Sequence, residues 1–292
     1  MSHSTILNNP AIAELPIQKI KSGSLLETND TVAVEEPLEI RLLYGPAGKR
    51  IEQGISVTMR TPGHDGELAI GFLFTEGIIS DASAILSIGQ EEPPATDISR
   101  GQPPNSIRIA LREGVSLDLG RLQRHFYTSS SCGVCGKSSI DSLRTVCPAP
   151  AATGEAAPLD ASFILSLPPL LREGQGVFDS TGGLHASALF DRKGNLLSLR
   201  EDIGRHNALD KVIGHALQQT WLPLSNNILL LSGRACFELI QKAAMAGIKI
   251  IAAVGPPSSL AVQLAEEQGM TLVGFLRQER FNIYSGAHRI RI

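Results

Sequence analysis

Three short apolar runs, NILLLSG, IKIIAAV and TLVGFL, constrain this 292-residue chain more than any other feature. Each is bounded by turn residues and is too short for a buried helix, so each reads as a buried strand. Between the first two, RACFELIQKAAMAG places Cys236, Leu239, Ile240, Ala243 and Ala244 at helical spacing and stops at Gly247. Between the second and third, GPPSSLAVQLAEEQG starts from a serine cap and stops at Gly269. Strand, helix, strand, helix, strand in that order predicts an α/β unit with a mostly parallel sheet and right-handed crossovers. Such sheets bind ligands at the carboxyl ends of their strands. Here those ends are Ser232-Gly233-Arg234, Gly255 to Ser259 and Arg277 to Asn282.

The first half has a different texture. LEIRLLY, ISVTMR, AILSIG and SIRIALR read as strands, and TPGHDGELAIGFLFTEGII as a helix opening at Thr61-Pro62. These make a smaller α+β domain over residues 31–125. Residues 1–30 are polar without a clear period and read as a flexible arm. Residues 126–292 then form the α/β domain. Within it, CPAPAATGEAAP reads as a linker, KSSIDSLRTV as a short helix, and DASFILSLPPLLREG as a helix up to its prolines.

Bulk composition excludes some functions. A net charge of −3 without a long basic run gives no general nucleic-acid footprint. No apolar run approaches the ~20 residues of a membrane span. The first residues lack a basic stretch followed by an apolar one, so no secretory signal is expected and the chain is expected to be cytoplasmic.

Cysteine usage fits that compartment. Four cysteines in a chain this long are too few for a disulfide scaffold. Two of them, Cys132 and Cys135, form a C-x-x-C pair within SSSCGVCGKSS. Structural zinc would need a second half-site, which the spacing does not provide, so a zinc-dependent module would have to draw two histidines from distant parts of the chain. A thioredoxin-like pair would open a helix in a βαβ unit, whereas this one lies between the two halves of the chain. Glycine and serine on both sides predict an exposed, mobile loop over residues 129–139. Lys137 and a following helix start would lower a thiol pKa. An exposed thiolate of that kind can attack a sulfane sulfur and hold it as a persulfide. Cys236 reads as a small core hydrophobe on an apolar helix face, and Cys147 has no visible partner.

Two polar motifs remain. DSTGGLHASALF joins the glycine turn at Gly183 to His185, and EDIGRHNALDKVIGHAL brings Glu201, Asp202, Arg205, His206, Asn207 and Asp210 to the start of a helix. His206 with Asp210 and Asn207 with Lys211 are i,i+4 pairs opposite an apolar face. The choice is between a solvated amphipathic helix and the wall of a polar pocket, and the two glycine–histidine junctions favour the wall. His185-Ala-Ser resembles the H-x-E of zinc deaminases, but Ser187 stands where their catalytic Glu would be. Ser232-Gly233-Arg234 reads either as a phosphate cradle or as an ordinary strand-to-helix turn. Arg277 and Arg280 could grip a polyphosphate.

Taken together, SSCGVCG, TGGLHASAL, EDIGRHNALDKVIG, SGRACFELIQKAAMAGI and TLVGFLRQERFNIYSG resemble the FdhD family, the formate dehydrogenase accessory sulfurtransferases, from about residue 35 onward. The resemblance implies a cytoplasmic, homodimeric sulfur carrier whose C-terminal domain is cytidine-deaminase-like. It implies that Cys132 carries a persulfide taken from a cysteine desulfurase and that Cys135 assists. It also implies delivery of the sulfur to the molybdenum cofactor, bis-molybdopterin guanine dinucleotide, on its way to formate dehydrogenase. Phe275, Leu276, Arg277, Gln278, Glu279 and Arg280 match the family's cofactor-contact segment. Ser232, Gly233, Arg234, Gly183, His185 and His206 are further candidates. No permanently bound cofactor or metal ligand is expected, and a guanine nucleotide is expected to mimic the acceptor. The alternative is a non-catalytic cofactor-binding chaperone with a redox or docking C-x-x-C. The family resemblance also leads one to expect serine where this chain has Cys236.

Overall fold

The computed structural model describes residues 9–90, 105–115, 117 and 157–292. Cys132, Cys135, Cys147 and the whole of the 129–139 loop lie outside the described residues, as do the expected helix KSSIDSLRTV and most of the linker after it.

The described chain opens with an antiparallel hairpin, β1 (Ile12–Lys21) and β2 (Ser24–Ala33). An irregular arm is expected from the sequence at this point. Most of the hairpin is exposed, so pairing rather than burial forms it, and no apolar alternation marks it. Its legible signal is the two-residue turn Ser22-Gly23, where both φ angles are positive, at 50° and 80°.

A four-stranded sheet follows, built from β3 (Glu36–Tyr44), β4 (Ile51–Arg60), β5 (Ile85–Gln90) and β6 (Ser106–Leu111) in the order β4-β3-β6-β5. All four were expected. One helix, α1 (Asp65–Thr75), packs on it. The sequence places the start of α1 at Thr61-Pro62, but Pro62, Gly63 and His64 turn the chain first, and His64 at φ 60° is the N-cap. Buried Arg60 fixes this corner. Its Nε and Nη2 each donate to the Asp65 carboxylate at 3.0 Å, tying the strand end to the first helical residue.

The second unit starts with β7 (Leu159–Asp160), α2 (Ala161–Gly174), α3 (Gly176–Thr181), β8 (His185–Phe190) and β9 (Leu196–Asp202). Then come α4 (Arg205–Gln218), β10 (Ile228–Leu231), α5 (Phe237–Met245), β11 (Ile250–Ala253), α6 (Ser259–Glu267), β12 (Thr271–Gly274), β13 (Asn282–Ser285) and β14 (Ile290–Arg291). Six of these strands form one sheet in the order β13-β12-β11-β10-β8-β9.

The expected parallel core is present, since β10, β11 and β12 pair in parallel. The sheet as a whole is mixed rather than mostly parallel, because β8, β9 and β13 join antiparallel. The tight turn Asp191 to Asn195 closes β8 and β9 into a hairpin, and a hairpin cannot be parallel. The helix α2 also differs from expectation by running through Pro168 and Pro169. Buried Ile164, Leu167 and Leu171 hold it against the sheet on both sides of the prolines. Packing thus outweighs two lost backbone bonds.

The helices α4, α5 and α6 cover one face of the six-stranded sheet and α2 the other. The apolar core on the α4 side is continuous with that of the first unit, running from Leu38 to Leu272. The junction is the crossing of α1 and α4. A Cβ on Gly71 would lie 1.9 Å from the Asp210 carbonyl oxygen, and one on Gly214 would lie 1.9 Å from the Glu67 carbonyl oxygen. Each helix therefore presents a glycine to the other's backbone.

Contact this close buries the polar face of α4, so it is neither the solvated face nor the open pocket wall weighed from the sequence, of which the wall was favoured. The i,i+4 partners do not pair with each other. Asp210 binds Lys242 at 3.0 Å and Thr75 at 2.8 Å. Lys211 binds Asp202 at 2.7 Å and the Thr61 carbonyl at 2.9 Å. Asn207 donates to the Met59 carbonyl at 2.7 Å. Cutting one partner from such a buried pair costs about 3–5 kcal/mol.

Arg200 makes a fork–fork pair with Glu67 at 2.5 and 2.7 Å, and His215 stands 3.0 Å from the same carboxylate. Burial pushes the Glu67 carboxyl up, but the Arg200 and His64 hydrogen bonds and charges outweigh it and hold the group at about 2.

Gly71→Ala or Gly214→Ala is expected to lower stability by about 3 kcal/mol or more, because neither backbone can retreat without opening the core. Gly176→Ala, whose Cβ would meet nothing within 4 Å, is expected to stay within about 0.5 kcal/mol of the parent. Urea midpoints compare the three. In acid, the Glu67 contribution is complete above its ordinary value of 4.5 and is lost as pH falls towards about 2. Glu67→Gln is expected to flatten the stability–pH curve in that window, read by urea unfolding at successive pH values.

Candidate functional site

The carboxyl ends of the central strands form a zipped edge. The loop after β10 and the loop after β11 run side by side, with Ala235 N–H donating to the Pro256 carbonyl at 3.2 Å and Ser258 N–H donating to the Ala235 carbonyl at 3.0 Å. Gly255 is required here, since a Cβ on it would lie 2.9 Å from the Arg234 backbone. Ser232 stitches this edge to β8. Its N–H donates to the Ala186 carbonyl at 2.9 Å, and its Oγ accepts from Ala186 N–H at 2.8 Å.

Beside this edge, on the α2 side, lies a groove of about 760 Å³. Five of the residues anticipated from sequence line it together: Gly183, His185, Ser232, Gly233 and Gln278. Its floor and rim add Pro168, Arg172 and Phe178 from α2 and α3. The α3 helix is anchored by Glu201, whose carboxylate accepts from Val177 and Phe178 N–H at 3.0 and 2.8 Å. The turn into β8 passes through Gly182 at φ 68°. Gly233 faces His185, whose Nδ1 would be 3.1 Å from a Cβ there. The volume falls within the range of about 300–1,000 Å³ usual for small-molecule sites.

The other predicted residues are placed differently. Leu276 is fully buried in the core on the α2 side, with its N–H on the Ala253 carbonyl, so it supports the segment and cannot touch a ligand. Phe275, at φ 53°, is exposed, and its N–H donates to the Gly255 carbonyl at 3.1 Å. Arg277, Gln278, Glu279 and Arg280 form an exposed turn, closed by Arg277 N–H on the Arg280 carbonyl at 2.8 Å. The Arg277 side chain turns back and donates to the Val254 carbonyl at 2.6 Å. Arg234 is exposed and acts on the groove through its charge, since burial first, then the charges of Arg205 and Arg234, push the His185 imidazole down.

His206 does not line the groove. It lies on the α4 side, with Nε2 3.3 Å from the Cys236 sulfur. Cys236 corrects the sequence reading. It is the N-cap of α5 and only half-buried, packed against the edge of the core while its thiol also meets His206. Burial pushes this thiol up, opposed in part by the Leu239 N–H and Arg205. Sequence periodicity missed it because a cap position, one residue before the helix, falls in phase with the apolar stripe.

Arg172 and Phe178 were also missed. Glu201 was named from the sequence but assigned to the start of a helix, whereas it lies on β9 and pairs with Ala186 next to His185. A second cavity of about 750 Å³ lies between Phe74 to Ser83 and Ala244 to Lys249, and no predicted site residue lines it. No helix among the described residues is long and apolar enough to cross a membrane.

A mixed sheet capped by zipped loops, with a glycine-lined groove of small-molecule size at its carboxyl edge, defines an α/β protein. More narrowly, the chain belongs to the FdhD/NarQ family, whose model matches residues 33–291. A sulfur carrier protein FdhD from Streptomyces avermitilis is 48% identical over 274 residues, covering 94% of each chain. The protein of that name from Mycolicibacterium paratuberculosis is 50% identical over 94% of this chain and 97% of its own. That from Saccharolobus solfataricus is 38% identical over 96% and 98%. The crystal structure of a candidate formate dehydrogenase accessory protein from Desulfotalea psychrophila superposes with a TM-score of 0.68 at 26% identity, covering 97% of this chain and 100% of that one.

His185 is expected to titrate below its ordinary 6.5, and Arg234→Gln is expected to move it up. The imidazole is favoured neutral in the fold, so its contribution to stability is present above pH 6.5 and declines below it. An NMR titration of the ring protons, with and without the substitution, checks both directions.

Proposed function

We propose that this protein is a sulfur carrier that loads persulfide sulfur on Cys132 and delivers it to the molybdenum cofactor of a formate dehydrogenase. The observation that carries this reading is the convergence of Gly183, His185, Ser232, Gly233 and Gln278 on one groove, in a chain whose relatives are named sulfur carriers. The donor is a cysteine desulfurase. The Cys132 thiolate attacks the outer sulfur of the donor's persulfide, a new S–S bond forms, and the donor leaves as a thiolate. Cys135 then attacks the inner sulfur of the Cys132 persulfide. The outer sulfur departs as hydrosulfide, a Cys132–Cys135 disulfide closes, and a thiol reductant reopens it, so electrons balance.

The acceptor, bis-molybdopterin guanine dinucleotide, enters as substrate, and a groove of this size suits one nucleotide arm of it. Neutral His185 and the Gln278 side chain supply hydrogen bonds, the glycines allow close backbone approach, and Arg234 supplies positive charge. We read the domain formed by the six-stranded sheet and its helices as cytidine-deaminase-like, and the protein as a cytoplasmic homodimer.

Intact mass after incubation with a desulfurase and cysteine is expected to rise by one sulfur. Cys132→Ala is expected to abolish the gain, and loading at the parent level would refute the assignment. Guanosine diphosphate is expected to bind the groove, with His185→Ala and Gln278→Ala each weakening it at least about fivefold, the loss of roughly one hydrogen bond. If the Cys132→Ala, Cys135→Ala double variant still activates the client dehydrogenase, the non-catalytic chaperone reading replaces this one.

A further inference from the structure

On the other side of the sheet edge from the groove, three side chains of different chemistry converge. His206 stands in the first turn of α4, Cys236 caps α5, and Glu238 follows in the first turn of α5. His206 Nε2 lies 3.3 Å from Cys236 Sγ and 4.0 Å from Glu238 Oε2, and all three donor atoms lie within 4.8 Å of one another. A tetrahedral ion with bonds of about 2.0–2.3 Å holds its ligand atoms about 3.3–3.8 Å apart. The 3.3 Å separation is already at that spacing, and the others exceed its upper end by no more than about 1 Å.

The convergence is on one ring nitrogen. In a thiol–imidazole–carboxylate relay the two ring nitrogens divide the work, one facing the nucleophile and the other the acid. Here Nε2 faces both the sulfur and the carboxylate, an arrangement that makes a poor proton relay and a good set of ligands. Imidazole, thiolate and carboxylate are the three ligand types of protein zinc sites.

Both helix starts are held firmly. Asp202 accepts from Gly204 N–H at 2.8 Å and from Asn207 at 3.0 Å ahead of His206, and the zipped loops fix Cys236. His206 is buried, with 10% side-chain exposure, whereas Cys236 and Glu238 are half-buried, Glu238 at 25%, so solvent reaches the cluster from the α5 side. A separate feature points to an anion at the same place. Arg205 Nε is buried without a hydrogen-bond partner, and its guanidinium is near enough to Cys236 to favour the thiolate.

We propose that His206 Nε2, Cys236 Sγ and a Glu238 carboxylate oxygen bind a zinc-class divalent cation, leaving a fourth position for an anionic ligand held by Arg205. The charges suit this, since two anionic ligands neutralise the cation and Arg205 neutralises the anion. Binding releases the thiol proton to solvent and involves no electron transfer. The proposal stands independently of the sulfur-carrier reading, because it uses neither the C-x-x-C pair nor the groove.

The test uses the full chain with Cys132, Cys135 and Cys147 changed to alanine, so that Cys236 is the one thiol left of the four. Cobalt(II) titration is expected to give a thiolate-to-cobalt charge-transfer band saturating at one ion per chain, and zinc is expected to displace it. Cys236→Ser is expected to abolish the band. His206→Ala and Glu238→Gln are each expected to weaken zinc binding at least tenfold, read by competition with a chromophoric chelator. If His206→Ala fails to fold, His206→Asn replaces it, and melting curves without metal report folding for every variant. Absence of the band in the single-thiol chain overturns the proposal. So does a folded His206 or Glu238 variant whose zinc affinity stays within tenfold of the parent.

Discussion

The contact between α1 and α4, backbone against backbone at Gly71 and Gly214, sets the geometry of everything else. Only glycine permits such an approach, and here the requirement is reciprocal. It joins two sheets of separate topology into one apolar core. It also pulls the polar side of α4 out of water. Asp210, Lys211 and Asn207 on that helix then need partners from the other unit, from α5 or from the end of β9, and each has found one. Thr75 and Lys242 take Asp210, the Thr61 carbonyl and Asp202 take Lys211, and the Met59 carbonyl takes Asn207.

This buried network has a positional consequence. Its members lie in the first half of α4, next to the carboxyl edge of the sheet. Asp202, at the end of β9, both accepts from Gly204 N–H and pairs with Lys211, so the strand-to-helix corner cannot shift without breaking a buried ion pair. The β8–β9 hairpin carries His185 at its start, directly opposite Asp202 in the ladder. The side chains at the edge are therefore held by a network that touches no ligand, which is the kind of support a preorganised site needs.

Much of this was legible in the sequence where burial and period coincide. The strands β10, β11 and β12 are short apolar runs between turn residues, and they fold as expected because nothing polar competes with them. The Ser258 cap of α6 was equally plain, with its Oγ accepting from Ala261 N–H. Legibility failed where tertiary contact overrides local pattern. The amphipathic period of α4 was read correctly, but the environment of its polar face was not, because the partners lie about 150 residues away in the first unit. Pro168 and Pro169 mark a helix end locally, yet α2 packs against the sheet and continues through them. Cys236 was placed in the core because a helix cap and a core position look alike at helical spacing. In the Phe275 to Arg280 segment the residue types pointed at a ligand, whereas the structure sends Leu276 inward and the Arg277 side chain back to a carbonyl, leaving Gln278 on the groove.

The groove and the His206–Cys236–Glu238 cluster share one edge, and one charge acts on both. Arg205 opens α4 between them. Its guanidinium disfavours the protonated form of His185 on the groove side and favours the thiolate of Cys236 on the other. An anion bound on either side would draw on the same positive charge, so filling one site should reduce what Arg205 offers the other. Such coupling needs no movement of the backbone, which the glycine crossing and the buried ion pairs hold still. It needs only that a single guanidinium, half-buried and short of one partner, stand within electrostatic reach of both.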